Sequence, residues 1–320
     1  MIRAATEADD AAVLDLLAAS MGWLPDDQHA RFFAWKHRDN PAGRSPAWVV
    51  EDDGKVVAFR TFLRWSFDWD GRSVVAVRAV DTATHPGHQG RGLFSALTTH
   101  ALGELDDCGV DFVFNTPNER SRPGYLKLGW ELVGRPAVRA RPRSVASLAA
   151  MVRARVPADK WSTPTTAAEP AADVLADSDL VGSLLGTIAL PDGLATRRTP
   201  AHLRWRYGFE PLGYRAAVAP EGIGGGVVIF RLRRRGAALE LVVCEELVPA
   251  GDRRRADALV GAALEATGAD HAIRLTGQPG GRRYLPLPGQ GPTLVWKPVR
   301  LDHRPDLKGW HLSLGDVEVL

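Results

Sequence analysis

The second half of this sequence echoes the first. Three short segments of the first half recur in the same order in the second half, at offsets of 170, 171 and 159 residues. Self-similarity in a fixed order indicates a repeated structural unit, and 320 residues leave room for about two domains. The sequence therefore predicts a duplicated fold. The paired segments are residues 33–37 with 203–207, 54–60 with 225–231, and 125–128 with 284–287.

The composition is that of a globular protein and excludes several classes. Hydrophobic residues make up 45% of the chain, which argues against a mainly disordered protein. The net charge of +2 argues against a nucleic-acid-binding protein, which usually carries a basic stripe. Cys108 and Cys244 cannot form a disulfide framework, and neither a signal peptide nor a membrane span is predicted. We therefore expect a cytoplasmic protein, and the heavy use of Arg and Ala is typical of GC-rich bacterial genomes.

Strands and helices alternate in the first 140 residues. Two hairpins are predicted around the tight turns at residues 52–54 and 70–71. A strand at residues 74–84 leads through a glycine-rich turn into a helix from Leu93 to about Asp107. This order favours a mixed α/β sheet. The remaining predicted elements are a helix containing Val13, Leu16 and Leu17, strands at 110–114 and 130–133, and a helix at 120–128.

The sharpest local signal is the turn from Pro86 to Leu93, between a strand and a helix. Its small residues let backbone N–H groups approach a ligand closely, and the helix N-terminus adds unsatisfied N–H groups and a positive dipole end. Together they predict an anion site suited to a pyrophosphate. The glycine spacing is neither that of a P-loop nor that of a dinucleotide fingerprint. The alternative is a strand–helix turn that merely uses glycine.

Two motifs resemble those of the GNAT acetyltransferase superfamily. Residues 89–94 resemble its acyl-CoA motif Gln/Arg-x-x-Gly-x-Gly/Ala, with Phe94 in place of the final small residue. Residues 118–130 resemble its motif Asn-x-x-Ala-x-x-x-Tyr-x-Lys-x-Gly-Phe. The tandem arrangement is similar to the Eis-like branch, in which a degenerate second copy follows a working first copy. The resemblance implies an α/β fold: a mixed, mostly antiparallel sheet flanked by helices, duplicated as two GNAT-like domains.

The expected domains follow from this resemblance and from the repeats. Residues 1–140 would form the catalytic acyl-CoA-binding domain, and residues 141–194 would form a connector. Residues 195–320 would form a degenerate GNAT-like domain with a C-terminal tail. The glycine turn is not repeated, because its counterpart near residues 251–255 is charged. We therefore expect the second domain to bind no CoA and to help wall the acceptor site.

The resemblance also implies how acetyl-CoA would bind as the cosubstrate. The pantetheine would pair with the backbone of the strand that ends at Thr84, and the pyrophosphate would lie on the amides of the glycine turn. Helix capping is the alternative role for Asn118 and Ser121, and no Cys, His or carboxylate spacing suggests a metal site. The implied cosubstrate-binding residues are Thr82, Ala83, Thr84, Gln89, Gly90, Arg91, Gly92, Leu93, Phe94, Asn118 and Ser121.

Three catalytic candidates follow. CoA leaves as a thiolate, so a nearby acid would help, and the second motif implies Tyr125 as that acid; a core tyrosine is the alternative. Asp81 is the acidic residue beside the proposed reaction centre, although strand alternation leaves its direction open. In the Eis-like branch the terminal carboxylate is thought to act as the base, which implies Leu320, or else Asp316 or Glu318. An edge strand is the alternative for this tail.

We therefore expect an acetyl-CoA-dependent N-acetyltransferase. It would transfer the acetyl group by direct attack of a primary amine of a small molecule: an amino sugar, an aminoglycoside-like compound or a secondary-metabolite amine. The alternatives are acetylation of a peptide or protein amine, and a non-catalytic acyl-CoA sensor. We expect no nucleic-acid or membrane partner. Homo-oligomerisation, the identity of the amine and the acyl length stay open at this point.

Overall fold

The computed structural model describes residues 1–153, 156–276 and 283–318. The chain divides into two compact units. Unit 1 comprises Met1–Gly134 and Thr293–Arg304, and unit 2 comprises Arg135–Pro292 and Pro305–Leu320. Each unit therefore combines two stretches of sequence that are far apart along the chain, whereas the expected domains were three consecutive ones.

The first 134 residues form ten α-helices and β-strands. The buried face of the first helix consists of Val13, Leu16 and Leu17, as its apolar spacing predicts. The elements are β1 (Ile2–Ala4), α1 (Asp10–Met21), α2 (Asp27–His37), β2 (Ala47–Asp52), β3 (Lys55–Trp69), β4 (Arg72–Thr84), α3 (Leu93–Glu104), β5 (Phe112–Asn115), α4 (Arg122–Lys127) and β6 (Glu131–Gly134).

The two predicted hairpins are confirmed, and their turns show why. Asp53 and Gly54 have φ values of 49° and 71°, and Asp70 and Gly71 have φ values of 49° and 75°. Two consecutive positive φ angles are what a two-residue type I′ turn requires, and Asp-Gly is a favoured pair for it. These turns set the register of β2, β3 and β4.

The remainder of the chain forms further helices and strands, including several within the expected connector. They are β7 (Ala137–Pro142), α5 (Val145–Arg153), β8 (Glu169–Pro170), α6 (Ala171–Val174), α7 (Ser178–Gly186), β9 (Leu194–Thr196), α8 (Pro200–Gly208), β10 (Arg215–Val218), β11 (Val227–Arg235), β12 (Ala238–Leu247), α9 (Arg253–Thr267), β13 (His271–Thr276), β14 (Leu285–Pro286), β15 (Leu294–Pro298), β16 (Trp310–His311) and α10 (Leu314–Val317).

Unit 1 is built on a sheet with the strand order β1-β2-β3-β4-β5-β15-β6. The β4–β5 pair is parallel, and the others are antiparallel. The strand β15, from late in the chain, lies between β5 and β6. Helix α3 contributes Leu97 and Ala101 to a core with Phe62 and Val77 of the sheet. This packing holds α3 against β3 and β4.

Unit 2 repeats this plan. Its sheet has the order β14-β7-β13-β12-β11-β10-β8, in which only the β12–β13 pair is parallel. Both units contain a hairpin, a helix and a parallel strand in succession: β3-β4-α3-β5 and β11-β12-α9-β13. The predicted α/β class with two mixed, mostly antiparallel sheets flanked by helices is confirmed. Among the residues that the structure describes, no helix is long and apolar enough to cross a membrane.

Candidate active site

Strands β4 and β5 separate part-way along their length. Their parallel pairing runs only from Ala76 to Arg78 on β4 and from Phe112 to Phe114 on β5, while β4 continues to Thr84. On the other side of β4 the register shifts, because Phe59 pairs with Ala83 and Thr61 pairs with Val80. The last part of β4 thus has an edge toward β5 that is open within the described part of the chain. An extended ligand can pair with such an edge.

A β-bulge marks this part of β4. Arg60 alone stands opposite two residues, Asp81 and Thr82. Asp81 has a φ of 43°, in the left-handed region that side chains rarely adopt. Bulges redirect side chains and are frequent beside active sites. Here the bulge coincides with the stretch in which the sequence predicts both pantetheine binding and catalysis.

The glycine turn joins the open edge of β4 to the first turn of α3. Gly90 and Gly92 both have a φ of 75°, and a Cβ at either position would meet no atom within 4 Å. The backbone conformation, rather than crowding by protein atoms, therefore requires glycine here. Gly92 is the N-cap of α3, so the amides of the following turn point outward without helical partners.

A cleft of about 320 Å³ lies between this turn and β4. The carbonyl of Thr84, at its edge, accepts hydrogen bonds from Ser20 Oγ at 3.0 Å and from Gln89 Nε2 at 3.4 Å. The structure thus brings together eight of the predicted cosubstrate-binding residues. The lining consists of Thr82, Ala83, Thr84, Gln89, Gly90, Gly92, Leu93 and Phe94, together with Ser20 and His88.

Three other predicted residues lie outside the lining of this cleft. Arg91 is exposed and extends toward Asp52, with Nη1 3.3 Å from Oδ2. Asn118 Oδ1 accepts hydrogen bonds from the backbone N–H groups of Arg120 and Ser121, at 3.0 and 2.9 Å. Asn118 and Ser121 therefore form a turn before α4, in which Ser121 is the N-cap residue but makes no side-chain cap hydrogen bond.

Tyr125 lies on α4 and is 4% exposed. Its hydroxyl oxygen accepts a hydrogen bond from Arg60 Nη1 at 3.0 Å, and Arg60 Nη1 also donates to the Oγ1 of Thr82 in the bulge. The ring of Phe94 meets the Tyr125 ring edge-on at 5.8 Å. Arg60 thus ties the proposed acid to the strand that borders the cleft.

Asp81 lies in a buried charge network with α2. Its Oδ2 is 2.6 Å from Lys36 Nζ and 2.9 Å from His37 Nε2, and His37 Nδ1 is 2.9 Å from Ser45 Oγ. Burial by itself would raise the pKa of Asp81, but the Lys36 charge and the His37 hydrogen bond outweigh it and hold the pKa well below its usual value. Burial lowers the pKa of His37, so this imidazole is neutral near pH 7.

The family assignment rests on the first unit. Residues 1–133 match the family described as "Acetyltransferase (GNAT) domain". These residues form a GNAT acetyltransferase domain. The resemblance predicted from the two motifs is confirmed, and the chain is accordingly an acyltransferase. No curated protein sequence matches it.

Several solved structures are similar in fold to both units and not only to the GNAT domain. A GCN5-related N-acetyltransferase from Anabaena variabilis has a TM-score of 0.64 at 14% identity, covering 93% of this chain and 73% of its own. Eis1 from Mycobacterium abscessus has a TM-score of 0.58 at 17% identity, covering 94% and 74%. A GCN5-related N-acetyltransferase from Kribbella flavida has a TM-score of 0.58 at 19% identity, covering 94% and 72%. The predicted Eis-like tandem arrangement is confirmed at the level of the fold.

Unit 2 has the same order of strands and helix as unit 1, but its described residues differ at the positions of the glycine turn and of Tyr125. The position of the glycine turn is taken by Asp252, which caps α9 by accepting a hydrogen bond from Arg255 N–H at 3.1 Å. Tyr284, the sequence counterpart of Tyr125, has a buried hydroxyl with no partner among the described residues. Burial raises the pKa of Tyr284 to about 12. A tyrosine in this environment gives up its proton less readily than a free tyrosine.

The C-terminal candidates have partners within unit 2. Asp316 accepts a hydrogen bond from Ser313 N–H at 2.7 Å in the capping box of α10. Glu318 Oε1 lies 2.8 Å from Arg233 Nη2, and its Oε2 lies 3.2 Å from Arg231 Nη2. Leu320, the third candidate base, lies outside the described residues. The tail forms the short strand β16 and then α10, so a plain edge strand describes only its first part.

Sequence reasoning missed Arg60, Lys36 and His37. Arg60 directly follows a run of four apolar residues, Val56 to Phe59, on a predicted strand, where a charged residue at a buried position is a signal of function or of a partner. Lys36 and His37, like Arg60, lie in repeated segments, and the repeats give no sign of their contacts. Their partner Asp81 lies 44 residues from His37, and no local pattern indicates such a contact.

Proposed function

We propose that the chain is an acetyl-CoA-dependent N-acetyltransferase that acts on a primary amine of a small molecule. The observation that carries this proposal is the shared location of three features: an open edge of β4, a glycine turn at the start of α3, and the buried hydroxyl of Tyr125. The first suits a pantetheine, the second a pyrophosphate and the third a leaving thiolate.

In the proposed complex, the pantetheine pairs with the backbone of residues 82–84. The pyrophosphate lies on the amides of Gln89 to Phe94, where glycine allows close approach. Arg91 is exposed and can turn from Asp52 toward a phosphate. The second motif implies that Asn118 and Ser121, in the turn before α4, also contact CoA.

The reaction is a direct transfer. A neutral amine nitrogen attacks the thioester carbonyl carbon, a C–N bond forms, and the C–S bond breaks with its electron pair leaving on sulfur. The Tyr125 hydroxyl gives its proton to that sulfur as the general acid. Its oxygen already accepts a hydrogen bond from Arg60, so its own proton is free to point at another acceptor.

The amine must also lose a proton during the reaction. We consider Asp81 in relation to this proton. Its depressed pKa makes the carboxylate a weak base by itself. We therefore assign Asp81 to orienting His37, with the Nε2–H of the neutral imidazole directed at Oδ2. The proton of the amine then leaves to solvent water.

A thiol-release screen with acetyl-CoA tests the proposal. The amines are glucosamine, kanamycin and a dipeptide with a free amino terminus, and N-acetylglucosamine is the matched control without an amine. Release with an amino sugar, and none with the control, is the expected result. Release with the dipeptide alone would indicate that the acceptor is a peptide amine and not a small-molecule amine. Calorimetric binding of CoA with no release from any amine would favour an acyl-CoA sensor.

A further inference from the structure

Arg60 is a fully buried cation in an unusual environment. Its exposed fraction is 0%, and it forms no ion pair with any carboxylate of the described residues. By contrast Arg231, another fully buried arginine on a strand, pairs with Glu318 at 3.2 Å. A buried charge without a counter-charge is costly, and arginine cannot relieve that cost by losing its proton.

Aromatic rings supply part of the compensation. The guanidinium carbon of Arg60 lies 4.6 Å from the ring centroid of Phe62, 5.3 Å from that of Tyr125 and 5.7 Å from that of Phe94. Each ring face carries partial negative charge and attracts a cation. These contacts hold the guanidinium in place without neutralising it, so its field acts on the neighbouring hydroxyl.

The hydrogen bonds of Arg60 are incomplete. Nη1 donates to Tyr125 and to Thr82, whereas Nε and Nη2 have no partner among the described residues. Both acceptors of Nη1 are neutral hydroxyls, and one of them belongs to the proposed acid. The group best placed to become an anion beside Arg60 is therefore the phenolic oxygen of Tyr125.

We propose that Arg60 is the positioning residue of the transfer reaction: it fixes the Tyr125 hydroxyl and stabilises the phenolate that forms when Tyr125 protonates the leaving thiolate. This inference rests on the proposed function. In the step itself, the O–H bond of Tyr125 breaks, an S–H bond forms on CoA, and the electron pair stays on the phenolic oxygen. The negative charge then lies 3.0 Å from Arg60 Nη1, and the phenolate later recovers a proton from solvent.

The test is a double-mutant cycle on kcat with Arg60→Met and Tyr125→Phe. Turnover is measured as thiol release from acetyl-CoA with the most active amine of the screen. Arg60→Met should lower kcat about tenfold in the wild-type background and less than about twofold in the Tyr125→Phe background, because the charge acts through the hydroxyl. Arg60→Lys, which restores the charge, should recover part of the loss. CoA affinity by calorimetry should stay within about threefold.

A control variant and a second substitution keep the test decisive. Arg64→Met removes another arginine of β3, whose Nε and Nη2 bond to backbone carbonyls, and it should leave kcat unchanged. If Arg60→Met does not fold, the same cycle is run with Arg60→Gln. Equal losses of kcat in both backgrounds would overturn the inference, and so would an Arg60→Lys variant as slow as Arg60→Met. A fully active Tyr125→Phe variant would instead overturn the acid role in the proposed function.

Discussion

Lys36 Nζ lies 2.6 Å from Asp81 Oδ2, and both side chains are buried. This ion pair joins the last turn of α2 to the bulge of β4, although Lys36 and Asp81 are 45 residues apart in the sequence. Asp81 sits at a positive φ, so the pair holds a strained residue next to the open edge of the strand. The stability of unit 1 and the shape of the cleft therefore depend on the same contact.

Removing one partner of this pair should destabilise the protein strongly. We expect Lys36→Met to lower the free energy of unfolding by about 3–5 kcal/mol, because it leaves a buried carboxylate without its cation. Urea denaturation measures the effect. The double variant Lys36→Met/Asp81→Asn should recover part of the loss. A loss below about 1 kcal/mol in the single variant would contradict a buried, energetically coupled pair.

Gly92 should be needed for CoA rather than for folding. We expect Gly92→Asn to weaken CoA binding by at least about tenfold, or roughly 1.4 kcal/mol, because the new side chain enters the space of the phosphate. Asparagine tolerates the positive φ. Gly71→Asn is the matched control, since Gly71 has the same φ of 75° and open surroundings in a hairpin turn. Equal CoA affinities of the two variants in calorimetry would show that the glycine turn does not take part in CoA binding.

Tyr125→Phe should lower kcat by about 10²-fold and leave CoA affinity nearly unchanged, because only the acid is lost. Steady-state thiol release and calorimetry give the two quantities. Tyr284→Phe is the control, since it removes the same hydroxyl from the counterpart position of unit 2. That variant should keep full activity. A Tyr125→Phe variant as fast as the wild type would reduce Tyr125 to a packing role.

The stability of the protein should fall as the pH drops from 7 to 5. Burial lowers the pKa of His202 to about 3, whereas an unfolded histidine titrates near 6.5. The contribution of a neutral buried histidine is complete above pH 6.5 and is lost as the pH falls toward the folded value. At pH 5 the loss from His202 is about 2 kcal/mol. In urea denaturation at both pH values, His202→Gln should show a smaller decrease than the wild type, and an equal decrease would contradict this assignment.

Much of unit 1 follows from local sequence patterns. The Asp-Gly turns specify two hairpins, the spacing of Val13, Leu16 and Leu17 specifies α1, and the glycine turn lies where the sequence predicts it. The contacts of Asp81 do not follow, since they depend on a bulge and on a helix far away in sequence. Arg60 shows the same limit: its position on a strand is predictable, but its lack of a carboxylate partner is a property of the tertiary structure.

The largest feature that local patterns do not predict is the insertion of the late strand β15 into the sheet of unit 1. The strand β15 pairs with both β5 and β6, and Gly134 lies opposite Leu294 at the end of β6. We expect residues 1–134 alone to give no cooperative unfolding transition. Joining residue 134 to residue 293 by a short Gly-rich turn and continuing to residue 304 should restore one, because β6 and β15 then form a hairpin. The two proteins are compared by thermal unfolding, and equal transitions would show that β15 is dispensable.

The late position of β15 also bears on how the chain is made. Proteins emerge from the ribosome from the N-terminus onward, and domains commonly fold as they emerge. Here the sheet that bears the glycine turn lacks one of its inner strands until residues 294–298 have been synthesised. Until that moment β5 and β6 present unpaired edges, which are the surfaces most prone to pairing with other chains. The sheet of the acetyltransferase domain is thus completed only after residues 294–298 have been synthesised, long after its neighbouring strand β6 at Glu131–Gly134.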